Sequence, residues 1–197
     1  MGMILLGIFA FLLFYMYDYR QLTRPHQNHF AFFAAGILLL VGATAGLIGM
    51  AWRQGEVRVL SLMLSIPFGI VALLLLFYTL FFAIPYEDSY QNPSGKKTLV
   101  STGVYALCRH PGILWFAALY FFLWLAFGGS LLLLAFFLFS SLNGLYAYLQ
   151  DRWVFPLQFE GYEGYKQNTP FLIPTRESLG ACVSTLRSRN TGVGGTR

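Results

Sequence analysis

The sequence predicts an all-α polytopic membrane protein with about five transmembrane helices, and three observations carry that reading. Hydrophobic residues make up 57% of the 197 and charged residues 11%, a balance that would leave a water-exposed chain covered in apolar surface. The apolar residues gather in long uncharged runs, and a helix of roughly 20 such residues crosses the hydrocarbon core with its backbone groups bonded internally. The basic residues, finally, divide unequally between the two sides that five crossings define.

The runs cover residues 3–17, 30–52, 59–84, 111–127 and 131–149. The first and fourth are short for a bilayer and recruit interfacial residues. Only Gly128, Gly129 and Ser130 separate the fourth from the fifth, a turn that predicts a tight antiparallel hairpin of the last two helices. Tyr15, Tyr17, Tyr19, Trp52 and Tyr86 stand where aromatic belts meet the interface. Gly42 and Gly46, with Gly36 and Gly49 nearby, form a small-xxx-small stripe suited to close helix packing. Pro67 and Pro156 are expected to kink or end helices.

With the N-terminus outside, one side collects Arg20, Arg24, Lys96, Lys97, Arg109, Arg152, Lys166, Arg176, Arg187, Arg189 and Arg197. The other side has Arg53 and Arg58, so the positive-inside rule makes the first side cytoplasmic, C-terminus included. No basic leader or small-residue cleavage site precedes Asp18, and the first run reads as a retained helix. Leu6 stands where a myristoylation motif behind Gly2 requires Ser or Thr. Residues 1–174 read as a single integral membrane domain. From Thr175 to Arg197 the composition shifts to Ser, Thr, Arg and Gly, which predicts a disordered basic tail. Gly192, Gly194 and Gly195 lack the preceding strand and following helix of a phosphate loop.

Several function classes drop out. Cys108 and Cys182 show no metal-ligand spacing and suggest no disulfide framework. His26 and His29 have no carboxylate or Cys partner at metal spacing, so no metal is expected. The net charge of +5 suits flanks facing anionic lipid, and no basic and aromatic stripe argues for nucleic acid.

Polar residues concentrate at 85–111 and 150–174, both on the predicted cytoplasmic side and both flanking the hairpin. In a chain with few charges this is where a site is sought. The spacing predicts Arg109 and His110 near Asp151 and Arg152 at the mouth of the bundle. A helix opening at Pro111 adds unbonded N–H groups and a partial positive charge that suit an anionic ligand group. Taken singly, Arg109 is an ordinary topology signal and His110 a hydrated interfacial side chain. The stretch as a whole says more.

Lys97-Thr-Leu-Val-Ser-Thr-Gly103-Val-Tyr105-Ala-Leu-Cys-Arg109-His110-Pro111 resembles the signature of the isoprenylcysteine carboxyl methyltransferase and phospholipid methyltransferase superfamily: an apolar pair, Gly-x-Tyr, then Arg-His-Pro opening a membrane helix. A second family element follows the hairpin as Asp151, Phe159, Tyr162, Tyr165 and Phe171-Leu-Ile-Pro174. The resemblance covers about residues 96–174, the expected cofactor-binding half. It implies an integral membrane enzyme that uses S-adenosylmethionine to methylate a lipophilic or lipid-linked acceptor in the bilayer. By the same likeness Gly103, Tyr105, Arg109, His110 and Pro111 line the cofactor pocket, Asp151 helps close it, and Leu99 and Val100 lie near the adenine. Arg109, His110, Asp151 and Arg152 are the expected catalytic residues. A helix N-terminus plus Arg109 suits the cofactor's carboxylate, and an acidic residue suits its cations. A carboxylate acceptor needs no general base. An amine, thiol or hydroxyl acceptor does, and His110 is the natural one.

The chain departs from the family pattern in three places. Ile113, with Gly112 and Trp115 beside it, stands where a Tyr is common. The acidic pair keeps only Asp151, next to Arg152 or Gln150 according to the alignment. Phe159-Glu160 replaces Phe-Gly, one residue closer to the tyrosine pair. Two other readings therefore stay open: a noncatalytic interaction or assembly protein on the same fold, and an NADPH-dependent membrane reductase, since sterol reductases share an Arg-His-Pro-type segment.

Overall fold

The computed structural model describes residues 1–24, 27–55, 57, 59–83 and 99–191. The expectations placed on His26, Arg58, Tyr86, Lys96, Lys97, Gly192, Gly194, Gly195 and Arg197 fall outside these, as do those for all of 85–98. Among the described residues the elements are helices: α1 (Gly2–Thr23), α2 (Phe30–Arg53), α3 (Val59–Phe81), α4 (Val104–Leu107), α5 (Pro111–Phe127), α6 (Ser130–Leu149), a π-helical turn (Gln150–Val154), α7 (Phe155–Gln158), α8 (Tyr162–Asn168) and α9 (Arg176–Thr191).

Four helical stretches are long and apolar enough to cross a membrane: Gly2–Thr23, Phe30–Arg53, Val59–Phe81 and Ser130–Gln158. The chain is thus all-helical and has the elements of a multi-pass membrane protein. α5 is also apolar but shorter, with 17 residues, a rise of about 25 Å against the roughly 30 Å of a hydrocarbon core. α1 runs past the expected residue 17 to Thr23, because Asp18 is not left bare: the Gln150 amide donates to its Oδ2 at 2.8 Å. Pro67 lies inside α3 without ending it. Pro156 follows the π-helical turn rather than a helix end. A proline lacks the N–H of an α-helical bond and crowds the carbonyl four residues back, and a widened turn relieves both.

The chain divides into two compact units, Met1–Leu73 with Phe116–Val154, and Leu74–Trp115 with Phe155–Arg197. In the first, α1, α2 and α6 pack on one another around the fully buried Phe11, Leu47, Leu132 and Phe139. Phe11 meets Phe14 and Phe116 edge to face at ring separations of 5.8 and 6.1 Å. Tyr120 meets Phe139 at 5.5 Å and Phe121 meets Phe136 at 5.7 Å, on either side of Gly128 and Gly129, whose φ angles of 72° and 86° only glycine adopts without cost. Helix association in lipid depends on such close fit rather than on transfer from water.

The glycine stripe expected of α2 needs correction. A Cβ on Gly42 or Gly49 would meet nothing, whereas one on Gly36 would stand 2.5 Å from Phe14 and one on Gly46 2.5 Å from Met3 Sδ. The close approach to α1 therefore falls at Gly36 and Gly46, ten residues and nearly three turns apart. On α1 itself, a Cβ at Gly7 would land on the Phe139 ring.

The second unit contains the end of α3, the start of α5, and α4 with α7 to α9. Residues 176–191 form a helix where composition predicts disorder. Two local features explain it. Thr175 and Ser178 bond reciprocally, Ser178 N–H to Thr175 Oγ1 at 3.2 Å and Thr175 N–H to Ser178 Oγ at 2.9 Å, a capping box with Ser in place of the usual acid. Ser178 and Cys182, four residues apart, are then both buried, and α9 packs on α4.

Candidate functional site

The site is built where 99–111 meets 155–185 within the second unit. Gly103 turns the chain into α4 with φ 62° and ψ −131°, and its N–H donates to Thr185 Oγ1 on α9 at 3.0 Å. α4 ends as Cys108 becomes extended, with φ −159° and ψ 163°. This lets the next residues run beside 170–171: Arg109 N–H donates to Pro170 O at 2.9 Å and His110 N–H to Phe171 O at 3.2 Å.

Arg109 then reinforces the pairing with its side chain. Its Nη1 donates to Lys166 O at 2.9 Å and Thr169 O at 2.8 Å. These carbonyls stand at the C-terminal end of α8, where helix bonding runs out and the dipole is negative. The guanidinium carbon also sits 5.7 Å over the Phe171 ring, a cation–π geometry.

Two tyrosines extend the same clasp. The Tyr165 hydroxyl donates to Tyr105 O at 2.6 Å, and the Tyr105 hydroxyl donates to Thr79 O at 3.0 Å. Burial pushes the Tyr105 phenol up to about 12, so at neutral pH it is a hydrogen-bond strut and not a base. Cys108 is wholly enclosed and its thiol is pushed up to about 11, first by burial and then by the neighbouring Cys182, with the His110 backbone opposing. Burial likewise raises Cys182. Both shifts disfavour the nucleophilic thiolate.

His110 is buried and lies among aromatic rings. Its ring stacks on Phe155 at 5.7 Å and 12°, and lies 4.9 Å from Phe171. Phe155 in turn meets Phe159 and Tyr162 edge to face at 5.4 and 5.5 Å. The buried imidazole thus has two aromatic neighbours, and both come from the second signature stretch.

Beside this clasp lies a cleft of ≈ 510 Å³, lined by Leu99, Ser101, Ala106, Gly161, Gly164, Tyr165, Asn168, Thr169, Glu177, Ser178 and Ala181. Its volume falls in the roughly 300–1,000 Å³ range of small-molecule sites. A Cβ on Gly161 or Gly164 would meet nothing, so both glycines leave open space rather than fill a tight seam. Leu99, Ala106 and Ala181 give the cleft an apolar wall. Ser101, Asn168, Thr169 and Ser178 are its polar lining residues, with the Ser178 hydroxyl held by Thr175, and Glu177 supplies the one carboxylate of the lining.

Of the residues expected from the sequence, Leu99 lines the cleft. Val100, Gly103, Tyr105, Arg109, His110 and Pro111 stand in the same unit, while Asp151 and Arg152 belong to the other. Asp151 is buried and Arg152 exposed, both on the π-helical turn. The sequence reading missed Gly161, Gly164, Asn168, Thr169, Glu177 and Ser178 as lining residues. The Thr175-x-x-Ser178 spacing was the available signal for those at the start of α9. It missed Gln150 as the partner of Asp18 as well, although an acidic residue at the end of an apolar helix is a standing pointer to a buried partner. No family model, no curated protein and no solved structure matches the chain, so the family likeness rests on the residues quoted for it.

Proposed function

We propose that this chain is an integral membrane methyltransferase that uses S-adenosylmethionine to methylate a lipophilic or lipid-linked acceptor. The observation that supports it is the clasp of Arg109 and His110 on residues 166–171. It joins residues 99–111 to residues 155–174, parts of the two signature stretches that lie on either side of α6 in sequence, inside one compact unit.

The adjoining cleft fits the cofactor in size and chemistry. Leu99 offers an apolar wall for a flat base, Asn168 and the hydroxyls offer polar contacts, and Glu177 offers a carboxylate to a cation. S-adenosylmethionine, when bound, supplies an electrophilic methyl group on a sulfonium. Arg109 acts by fixing the frame, since its Nη1 serves two backbone carbonyls. His110, buried beside Phe155 and Phe171, is the residue to accept a proton from an amine, thiol or hydroxyl acceptor. Water exclusion and positioning supply most of the remaining acceleration.

In this reading α5 is a fifth crossing that draws on interfacial residues at its ends, and α5 and α6 form an antiparallel hairpin about Gly128 and Gly129. The pairing of Tyr120 with Phe139 and of Phe121 with Phe136 supports that register. The N-terminus faces outside and the C-terminus the cytoplasm, on the argument of Arg20, Arg24, Arg109, Lys166 and Arg176 against Arg53.

A second reading, a noncatalytic membrane interaction protein on the same fold, draws on Arg109: a residue that holds α8 in place is retained for folding alone. Equilibrium binding of S-adenosylhomocysteine to the protein in lipid nanodiscs separates the two. Saturable binding, lost when Gly164→Trp fills the cleft and retained in a Gly42→Ala control, is the expected result. No binding by folded protein overturns the methyltransferase reading, and binding of reduced nicotinamide cofactor instead would make the chain a reductase.

A further inference from the structure

We propose that α9 is an interfacial helix whose Leu179–Val183–Leu186 ridge seats in an anionic membrane leaflet. Leu179, Val183 and Leu186 are 49%, 63% and 39% exposed. At 100° per residue they share an arc of about 60°. Arg176 and Arg187, both exposed, fall on one flank of that arc. The opposite flank carries Ser178, Cys182 and Thr185, which are the residues turned to the rest of the unit.

The acidic charge of the helix stands away from the ridge. The one acidic residue of α9, Glu177, lies about 160° from Leu179 around the helix axis and lines the cleft. The helix is too polar to be a crossing and is not among the stretches apolar enough for one. Its exposed ridge is nonetheless apolar, and such a combination lies in the interfacial plane with the apolar side in the acyl boundary and the arginines at headgroup level.

The occupant is argued from the chain itself. The unit that holds α9 also holds the last turns of α3 and the first turn of α5, so helix ends that belong to a bilayer are part of the same body. α9 begins at Arg176, fewer than twenty residues after the apolar run that ends at Gln158. Two arginines beside the ridge then choose an anionic headgroup surface over a neutral one, each worth roughly a fivefold gain in seating. The inference does not depend on methyl transfer.

The test is spin labelling of the full chain in nanodiscs, with labels on Val183→Cys and, about 100° away on the exposed side, Ser184→Cys. The native thiols are buried and remain unlabelled. In discs containing phosphatidylglycerol, the label at 183 should be reached by oxygen and shielded from an aqueous nickel chelate, and the label at 184 should show the reverse. The shielding should fall severalfold in pure phosphatidylcholine discs, and to the same degree in Arg176→Gln with Arg187→Gln. Equal nickel access at the two positions would overturn the proposal. So would shielding independent of lipid charge, or dipolar broadening that reveals a second copy covering the ridge.

Discussion

The hydroxyl of Tyr165 donates to the main-chain carbonyl of Tyr105 at 2.6 Å, across a sequence separation of 60 residues. It fastens the helix that carries one signature stretch to the short helix that carries the other. Tyr165→Phe would leave the carbonyl without that donor, in a region where Tyr165 itself is buried. We expect a loss of about 1–3 kcal/mol, read as a lowered unfolding midpoint in detergent. An unchanged midpoint would mean that water replaces the hydroxyl.

Arg109 should tolerate no exchange for lysine. A single ammonium on a flexible stem does not reproduce a planar fork that reaches Lys166 O and Thr169 O from one nitrogen while lying over Phe171. Arg109→Lys is expected to lose about 1.5–3 kcal/mol, in the range of a charged hydrogen bond. The measurement is denaturant unfolding beside Arg109→Ala. A lysine variant as stable as wild type would show that charge alone is needed there.

Much of the fold could be read from the sequence because bilayer crossing is encoded in composition, residue after residue. All four membrane-length helices begin within one residue of an apolar run, and α1 runs past the end of its own, where Gln150 answers Asp18. α9 escaped notice for the opposite reason. Its stability comes from two reciprocal bonds at Thr175 and Ser178 and from a narrow buried face, and neither changes an average over twenty residues. The site divides in the same way. Tyr105, Arg109, His110 and Tyr165 stand in a recognisable pattern, but the pattern does not show that Arg109 points at backbone carbonyls. Much of the remaining cleft lining is Gly, Asn, Thr and Ser, residues so common in turns that no spacing singles them out.

Gly7 and Gly42 look alike in the sequence and should behave differently. At Gly7 a methyl group would land on Phe139, which is fully buried and pinned by Tyr120 and Phe11. Gly7→Ala is expected to cost about 1–3 kcal/mol. At Gly42 a methyl group meets open space, and Gly42→Ala should be neutral or stabilising by about 0.5–1 kcal/mol through helix propensity. Unfolding titrations of the two variants side by side are the check, and equal costs would contradict the packing of α1.

Cys108 gives the chain an alkaline liability. The folded state holds its thiol up to about 11, while a thiol in an unfolded chain ionises near ~8.5. Between those values the folded protein keeps a proton that the unfolded chain has released, so the unfolded state gains with rising pH. The contribution is fully present below about pH 8.5 and fades as pH approaches 11. Cys108→Ala should flatten the decline, so that the gap between its unfolding midpoint and that of wild type shifts in the variant's favour from about pH 8 to about pH 10.5. A constant gap across that range would show that the thiol is not shielded.

Gly103 turns the chain with φ 62° and ψ −131°, the mirror image of the relaxed polyproline geometry of an L-residue. A Cβ there would find room, since its nearest neighbour would be Leu186 Cδ2 at 3.7 Å; what excludes alanine is handedness and not space. The position is therefore a slot for a right-handed building block in a left-handed alphabet, and glycine, having no hand, is the one coded residue that serves. A semisynthetic chain with D-alanine at 103 should fold more firmly than one with L-alanine there, because the mirror-image residue arrives already bent to the turn.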